Sequence, residues 1–142
     1  MTQNQRTLAI DWGQKRTGFA ICDELGMTVR PLETVRGPKE AVVQRVVELI
    51  SDYDVQRIVV GVPLGAEGQI RGAAERILAL VEELKGVVTC PIHTWNERLT
   101  SYAADEWMRE RGYSARERQQ RSDEIAAAIL LEDFLASRPF ST

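Results

Sequence analysis

Thr7 to Trp12 (TLAIDW) is a nearly continuous apolar run closing on an acid, and Gly13 with the polar Gln14-Lys15-Arg16 behind it reads as a turn. Gly18 to Cys22 and Met27 to Val35 give two more strands joined by the turn-like Asp23-Glu24-Leu25-Gly26, so the first 36 residues read as an antiparallel meander. Pro31 marks the third strand as an edge, because proline has no N–H for an inner ladder. Beyond Gly37-Pro38, apolar residues at Val42, Val46, Leu49 and Ile50 recur at helical spacing and predict a helix from Pro38 to Asp52. Gln56 to Val62 is apolar throughout, the mark of a strand buried on both faces. A second helix closing at Gly86 and a strand over Thr89 to Asn96 follow, in the β-α-β rhythm of parallel pairing. Helices are expected over Leu99 to Arg111 and Ser122 to Ala136. The Arg-rich stretch between them, Gly112 to Arg121, reads as a mobile loop. The sum is an α/β fold: one mixed five-stranded sheet, an antiparallel meander followed by two α-β units, with helices on both faces.

Composition narrows what such a sheet can do. A length of 142 residues fits one domain, 1–142, and 44% apolar residues suffice for a buried core. The formal charge is −3, so affinity for a polyanion must come from a local patch. Cys22 and Cys90 stand apart from any CxxC or Cys/His cluster, which speaks against zinc and disulfides and for a reducing cytoplasm. The apolar stretch of MTQNQRTLAI is too short for a signal sequence, and no run approaches a membrane span. His93 is the single histidine, so chemistry falls to carboxylates.

Three carboxylates stand out. Asp11 closes the first strand, Glu97 closes the strand through Trp95-Asn96, and Asp123 opens the last helix in line with its apolar stripe Ala126, Ala127, Leu130 and Phe134. Carboxyl ends of neighbouring strands are where α/β sheets place ligands, so the three can meet at one end of the sheet. Converging carboxylates repel unless a cation sits among them. Hard oxygen donors without thiolate or imidazole suit Mg²⁺ or Mn²⁺, and the chemistry indicated is metal-dependent hydrolysis of a nucleic-acid backbone. The segment from Arg109 to Arg121 carries five arginines against two glutamates, and Arg116, Arg118 and Arg121 abut the Asp123 helix as a patch for a polyanion.

Four segments together carry a resemblance: Asp11-Trp12-Gly13-Gln14-Lys15-Arg16-Thr17-Gly18, Gly61-Val62-Pro63-Leu64 closing at Gly68, Asn96-Glu97-Arg98-Leu99-Thr100, and the Asp123 helix. In this order they resemble the YqgF family, described as Holliday-junction-resolvase-like proteins of the ribonuclease H fold and as candidate nucleases maturing the 5′ end of precursor 16S ribosomal RNA. The resemblance spans nearly the whole chain. It implies a ribonuclease H-like fold, Asp11, Glu97 and Asp123 as metal-binding acids, and Lys15, Arg16 and Arg98 facing the phosphate backbone. RNA is the favoured partner, on or off a ribosomal particle, with branched DNA as the alternative. A resolvase needs two active sites and hence a homodimer, whereas an RNA nuclease can act as a monomer. The family often has Asp where this chain has Asn96, and strand alternation puts that position on the face opposite Glu97.

Each motif also has a local reading. Asp11 can cap a turn, Ser122 can serve as helix N-cap with Asp123 and Glu124 favouring the helix dipole, and Glu97 and Arg98 can be solvated residues before a helix capped by Thr100 or Ser101. Gly61-Val62-Pro63-Leu64 can be a plain strand stop or lead to a phosphate-binding helix tip. His93 and Trp95 fall on the Glu97 side of their strand, where core packing is the expected role ahead of base stacking. Two other classes of function compete. Actin-like ATPases share the opening strand and Asp-x-Gly but need two such domains, and a non-catalytic nucleic-acid or transcription-factor binding module would gain nothing from acids clustered beside phosphate.

Overall fold

A computed structural model of the protein describes residues 5–63, 67–97 and 101–137. Strands β1 (Thr7–Asp11), β2 (Arg16–Cys22) and β3 (Val29–Arg36) form the meander. They are followed by α1 (Lys39–Tyr53), β4 (Arg57–Pro63), α2 (Glu67–Lys85), β5 (Ile92–Glu97), α3 (Ser101–Glu110), α4 (Ala115–Gln120) and α5 (Ser122–Ser137). The sheet order is β3-β2-β1-β4-β5, antiparallel from β3 to β1 and parallel from β1 through β4 to β5. The mixed sheet and its edge strand are as the sequence predicts. Pro31 lies on β3 where the register steps from Phe19–Glu33 to Ala20–Pro31, a bulge that absorbs the missing N–H.

Each face of the sheet has its own core, because side chains alternate along every strand. Leu8, Ile10, Phe19, Ile21, Ile58 and Val60 pack against Val42, Val46 and Leu49 of α1 and Ile77, Leu80 and Leu84 of α2. The opposite face presents the small Ala9 and Ala20 to Ala127 and Ala128 of α5, so helix and sheet approach closely. Trp107 and Met108 of α3 close this second core.

Both ends of α5 are fixed. Near its carboxyl end, Phe134 meets the Trp95 ring edge-on at 5.5 Å and the His93 ring at 5.7 Å, and Trp95 Nε1 donates to Asp133 Oδ2 at 2.7 Å. His93 and Trp95 are packing residues, as expected. The buried Arg57 guanidinium lies 5.4 Å from the Phe134 ring centre while its Nε donates to Thr7 Oγ1 at 2.6 Å. Buried as it is, such a cation needs these contacts to offset its lost hydration.

Four sequence expectations are corrected. The Gly112 to Arg121 stretch is not a mobile loop: residues 115–120 form α4, started by a reciprocal capping box in which Glu117 N–H donates to Ser114 Oγ at 3.1 Å and Ser114 N–H donates to Glu117 Oε1 at 2.9 Å. Ser122 is not the cap of α5 but its first residue, and the Arg121 carbonyl accepts from Ile125 N–H at 2.9 Å. The residue buried at the tip of α5 is Glu124, with Asp123 half-buried beside it. The strand expected from Thr89 begins only at Ile92, just after Pro91.

The Ser114 N–H and hydroxyl hold the Glu117 carboxyl below its ordinary pKa. A depressed folded-state value means that the cap's contribution is complete above the unfolded carboxylate value of about 4.3 and is lost as pH falls through the lowered one. Ser114→Ala is expected to weaken α4 by about 1 kcal/mol, about fivefold faster amide exchange over residues 115–120 at neutral pH; the residue-114 N–H survives the substitution, so the variant keeps a smaller acid-dependent loss than the wild type.

Candidate active site

Asp11 is the last residue of β1 and pairs across the antiparallel ladder with Gly18 of β2. It falls on the same face of the sheet as Ala9, the face that α5 covers. Gly18 explains why that helix can begin here. A Cβ built on it would stand 2.0 Å from the Asp123 carbonyl oxygen and 2.8 Å from the Glu124 nitrogen, so only a glycine lets the first turn of α5 rest on β2. Gly13 has a parallel role in the preceding turn, where a Cβ would fall 2.5 Å from the Arg16 carbonyl oxygen. The two glycines of the Asp-x-Gly-x-x-x-x-Gly pattern therefore fold the β1–β2 turn tightly and seat the Asp123 turn across the ladder from Asp11.

Cations gather around this junction. Arg16 Nε lies 3.0 Å from Asp123 Oδ2, with the carboxylate side chain 29% exposed. Being half in solvent, the pair contributes about 0.2–1 kcal/mol to stability, and it shows that the Asp123 carboxylate already attracts positive charge. Gly37 N–H donates to the Lys15 carbonyl at 3.2 Å, tying the turn to the end of β3. Lys15, Arg16 and Arg36 thus border a cleft of about 420 Å³ that also reaches Asp123.

The other predicted residues are distributed as follows. Residue 97 ends β5 in register with Pro63 of β4, at the same end of the parallel strands as Asp11; its side chain and Arg98 lie outside the described residues, as do Leu64 to Ala66 and the Leu99-Thr100 segment. Arg116 is exposed on α4. Arg118 is half-buried, donating to the Tyr113 carbonyl at 3.0 Å and lying 4.0 Å from Asp105. Arg121 donates from Nε to Glu124 Oε2 at 2.9 Å and stacks 5.5 Å from the Tyr113 ring centre. Two of the three arginines of the expected patch therefore anchor α4 to its neighbours. Arg36 was not singled out from the sequence. Its signal lay in the meander register, which sets it directly across from Arg16.

Asp11 and Asp123 are hard oxygen donors at one end of the sheet, the donor type that suits Mg²⁺ or Mn²⁺. Among the described residues no group of three or more His, Cys, Asp or Glu is close enough to hold a metal ion. Among the described residues, too, no helix is long and apolar enough to cross a membrane.

The fold is that of ribonuclease H-like resolvases. RuvC of T. thermophilus, solved in complex with a Holliday junction substrate, aligns with a TM-score of 0.64 at 15% identity, over 93% of this chain and 94% of that one. A Fowlpox virus resolvase solved with Holliday junction DNA aligns with a TM-score of 0.57 at 12% identity, over 93% and 97%. A family profile described as RuvX, Holliday junction resolvase, matches residues 5–137, and the chain belongs to this family. Among its relatives, a protein of Roseiflexus sp. (strain RS-1) named "Putative pre-16S rRNA nuclease" is 39% identical over 134 residues, 94% of this chain and 95% of that protein. One of the same name from Desulforamulus reducens is 36% identical, covering 93% and 97%.

Gly18→Ala is expected to destabilise the protein by about 3 kcal/mol, since the obstructing atoms are backbone and must move as a unit. Urea unfolding checks the loss. Gly86→Ala, where a Cβ would stand 3.4 Å from the nearest atom, is the comparison substitution and is expected to cost far less.

Proposed function

We propose that this protein is a divalent-metal-dependent nuclease that hydrolyses phosphodiester bonds of structured RNA, trimming the 5′ end of precursor 16S ribosomal RNA in ribosome biogenesis. The observation that carries the reading is the seating of the Asp123 turn on Gly18, across the ladder from Asp11 and beside Lys15, Arg16 and Arg36. Acids set among bordering cations fit a reaction whose substrate is itself a polyanion. The names of the relatives support RNA as the substrate.

Asp11, Glu97 and Asp123 would hold the Mg²⁺ or Mn²⁺ ion. When bound, the ion supplies an acidified water and neutralises charge at the phosphorus. Lys15 and Arg16 bind the phosphate oxygens, with Arg98 expected to join them. Arg16 has a second task, since its pairing with Asp123 holds that carboxylate in place until substrate phosphate competes for the guanidinium. The family's description and the resolvase folds favour one second reading, cleavage of a four-way DNA junction by a homodimer.

The purified protein, given a 5′-extended ribosomal RNA and a four-way DNA junction with Mg²⁺ or Mn²⁺, is expected to cut the RNA. EDTA should abolish cutting. Asp11→Asn and Asp123→Asn should each lower the rate at least about a hundredfold. Full activity in Asp11→Asn would overturn the assignment, and cutting of the junction alone, by a dimer, would replace RNA with DNA.

A further inference from the structure

A second cleft, of about 680 Å³, opens on the other side of Arg16, between β3 and the α4–α5 junction. It shares Arg16, Arg36 and Asp123 with the smaller cleft. Its walls include Glu33, Thr34, Gln119, Gln120 and Glu124.

Three acids border it, and each is matched from within the protein. Glu33 is gripped by Arg45 through two bonds of 2.7 and 2.8 Å. Glu124 accepts from Arg121 at 2.9 Å and from Thr34 Oγ1 at 3.2 Å. Asp123 is paired with Arg16. Arg36 is left over: it is exposed and has no ion-pair partner among the described residues. It also stands directly opposite Arg16 on the neighbouring strand. Asp123 neutralises Arg16, and no acid of the cleft remains to neutralise Arg36. An anion from outside would.

We propose that this cleft is a second backbone site, in which Arg36 binds a phosphodiester of the single-stranded segment flanking the bond to be cut. Gln119 and Gln120 border the same segment and offer both amide donors and acceptors to its sugars and bases. The volume lies within the range of ligand-binding clefts. The anionic character of the ligand follows from the charges of the cleft, while its identity as a polynucleotide rests on the nuclease reading.

The test is binding without turnover. With EDTA present, the affinity of the full chain for a labelled single-stranded RNA dodecamer is followed by fluorescence anisotropy from low to moderate salt. Arg36→Ala is expected to weaken binding about fivefold and to reduce the log–log salt slope by about 0.7, the value of one phosphate contact on a single strand. Arg36→Lys should restore the slope, and Lys85→Ala, far from the cleft on α2, should match the wild type. Thermal melting confirms that each variant is folded. An unchanged slope in folded Arg36→Ala overturns the proposal, as does Arg36-dependent binding of inorganic phosphate with RNA affinity equal in Arg36→Ala and wild type, which would make the cleft a site for free anions. The two readings fail separately. Arg36-dependent binding without any cleavage would sink the nuclease assignment alone, and Asp11-dependent cleavage with binding indifferent to Arg36 would sink the second backbone site alone.

Discussion

The contact between the first turn of α5 and the α-carbon of Gly18 is the constraint on which the site depends. Gly18 is the ladder partner of Asp11, so whatever rests on it is delivered to the end of β1. What rests on it is the backbone of Asp123 and Glu124. The rest of α5 is arranged to hold that contact: Ala127 and Ala128 lie against Ala9 and Ala20 with little side chain between them, and Phe134 is locked among Trp95, His93 and Arg57 at the far end. A helix pinned at both ends has little freedom to withdraw an acid from its tip, the rigidity a preorganised site requires.

Charge around the junction is arranged in matched pairs with a positive remainder. Arg45 with Glu33, Arg121 with Glu124 and Arg16 with Asp123 neutralise one another where β3, α4 and α5 converge. Lys15 and Arg36 then stand over in a chain whose net charge is negative. A local positive field on an acidic protein favours a polyanion at this one place over non-specific adsorption across the surface.

Most of the architecture was legible in the sequence because its determinants are local. Short apolar runs, turn residues and Pro31 identify a meander with an outer third strand, and helical spacing through Val42, Val46 and Leu49 identifies the first helix of one face. What escaped has long-range or compensated causes. The requirement for glycine at position 18 comes from atoms at the opposite end of the chain. Helix α4 has no buried residue and hence no stripe; its Ser114-x-x-Glu117 box was present but outweighed by the polarity around it. Arg118 and Arg121 looked like open surface charges because their partners, the Tyr113 carbonyl and the buried Glu124, are fixed only by folding. Arg36 acquires meaning only once the register sets it against Arg16. Asp11 and Asp123 stand out in the sequence as candidates from their places at the end of a strand and the start of a helix, and Gly18, the ladder partner of Asp11, is where the Asp123 turn rests.

The most direct test of the shared acid site is titration of the isotopically labelled protein with Mn²⁺ while amide NMR signals are followed. Paramagnetic broadening is expected first at Trp12, Gly18 and the Asp123–Glu124 turn, with signals near Asp54 and Asp105 still sharp. Broadening scattered over exposed carboxylates, with Gly18 and the α5 tip no more affected than the rest, would contradict the account.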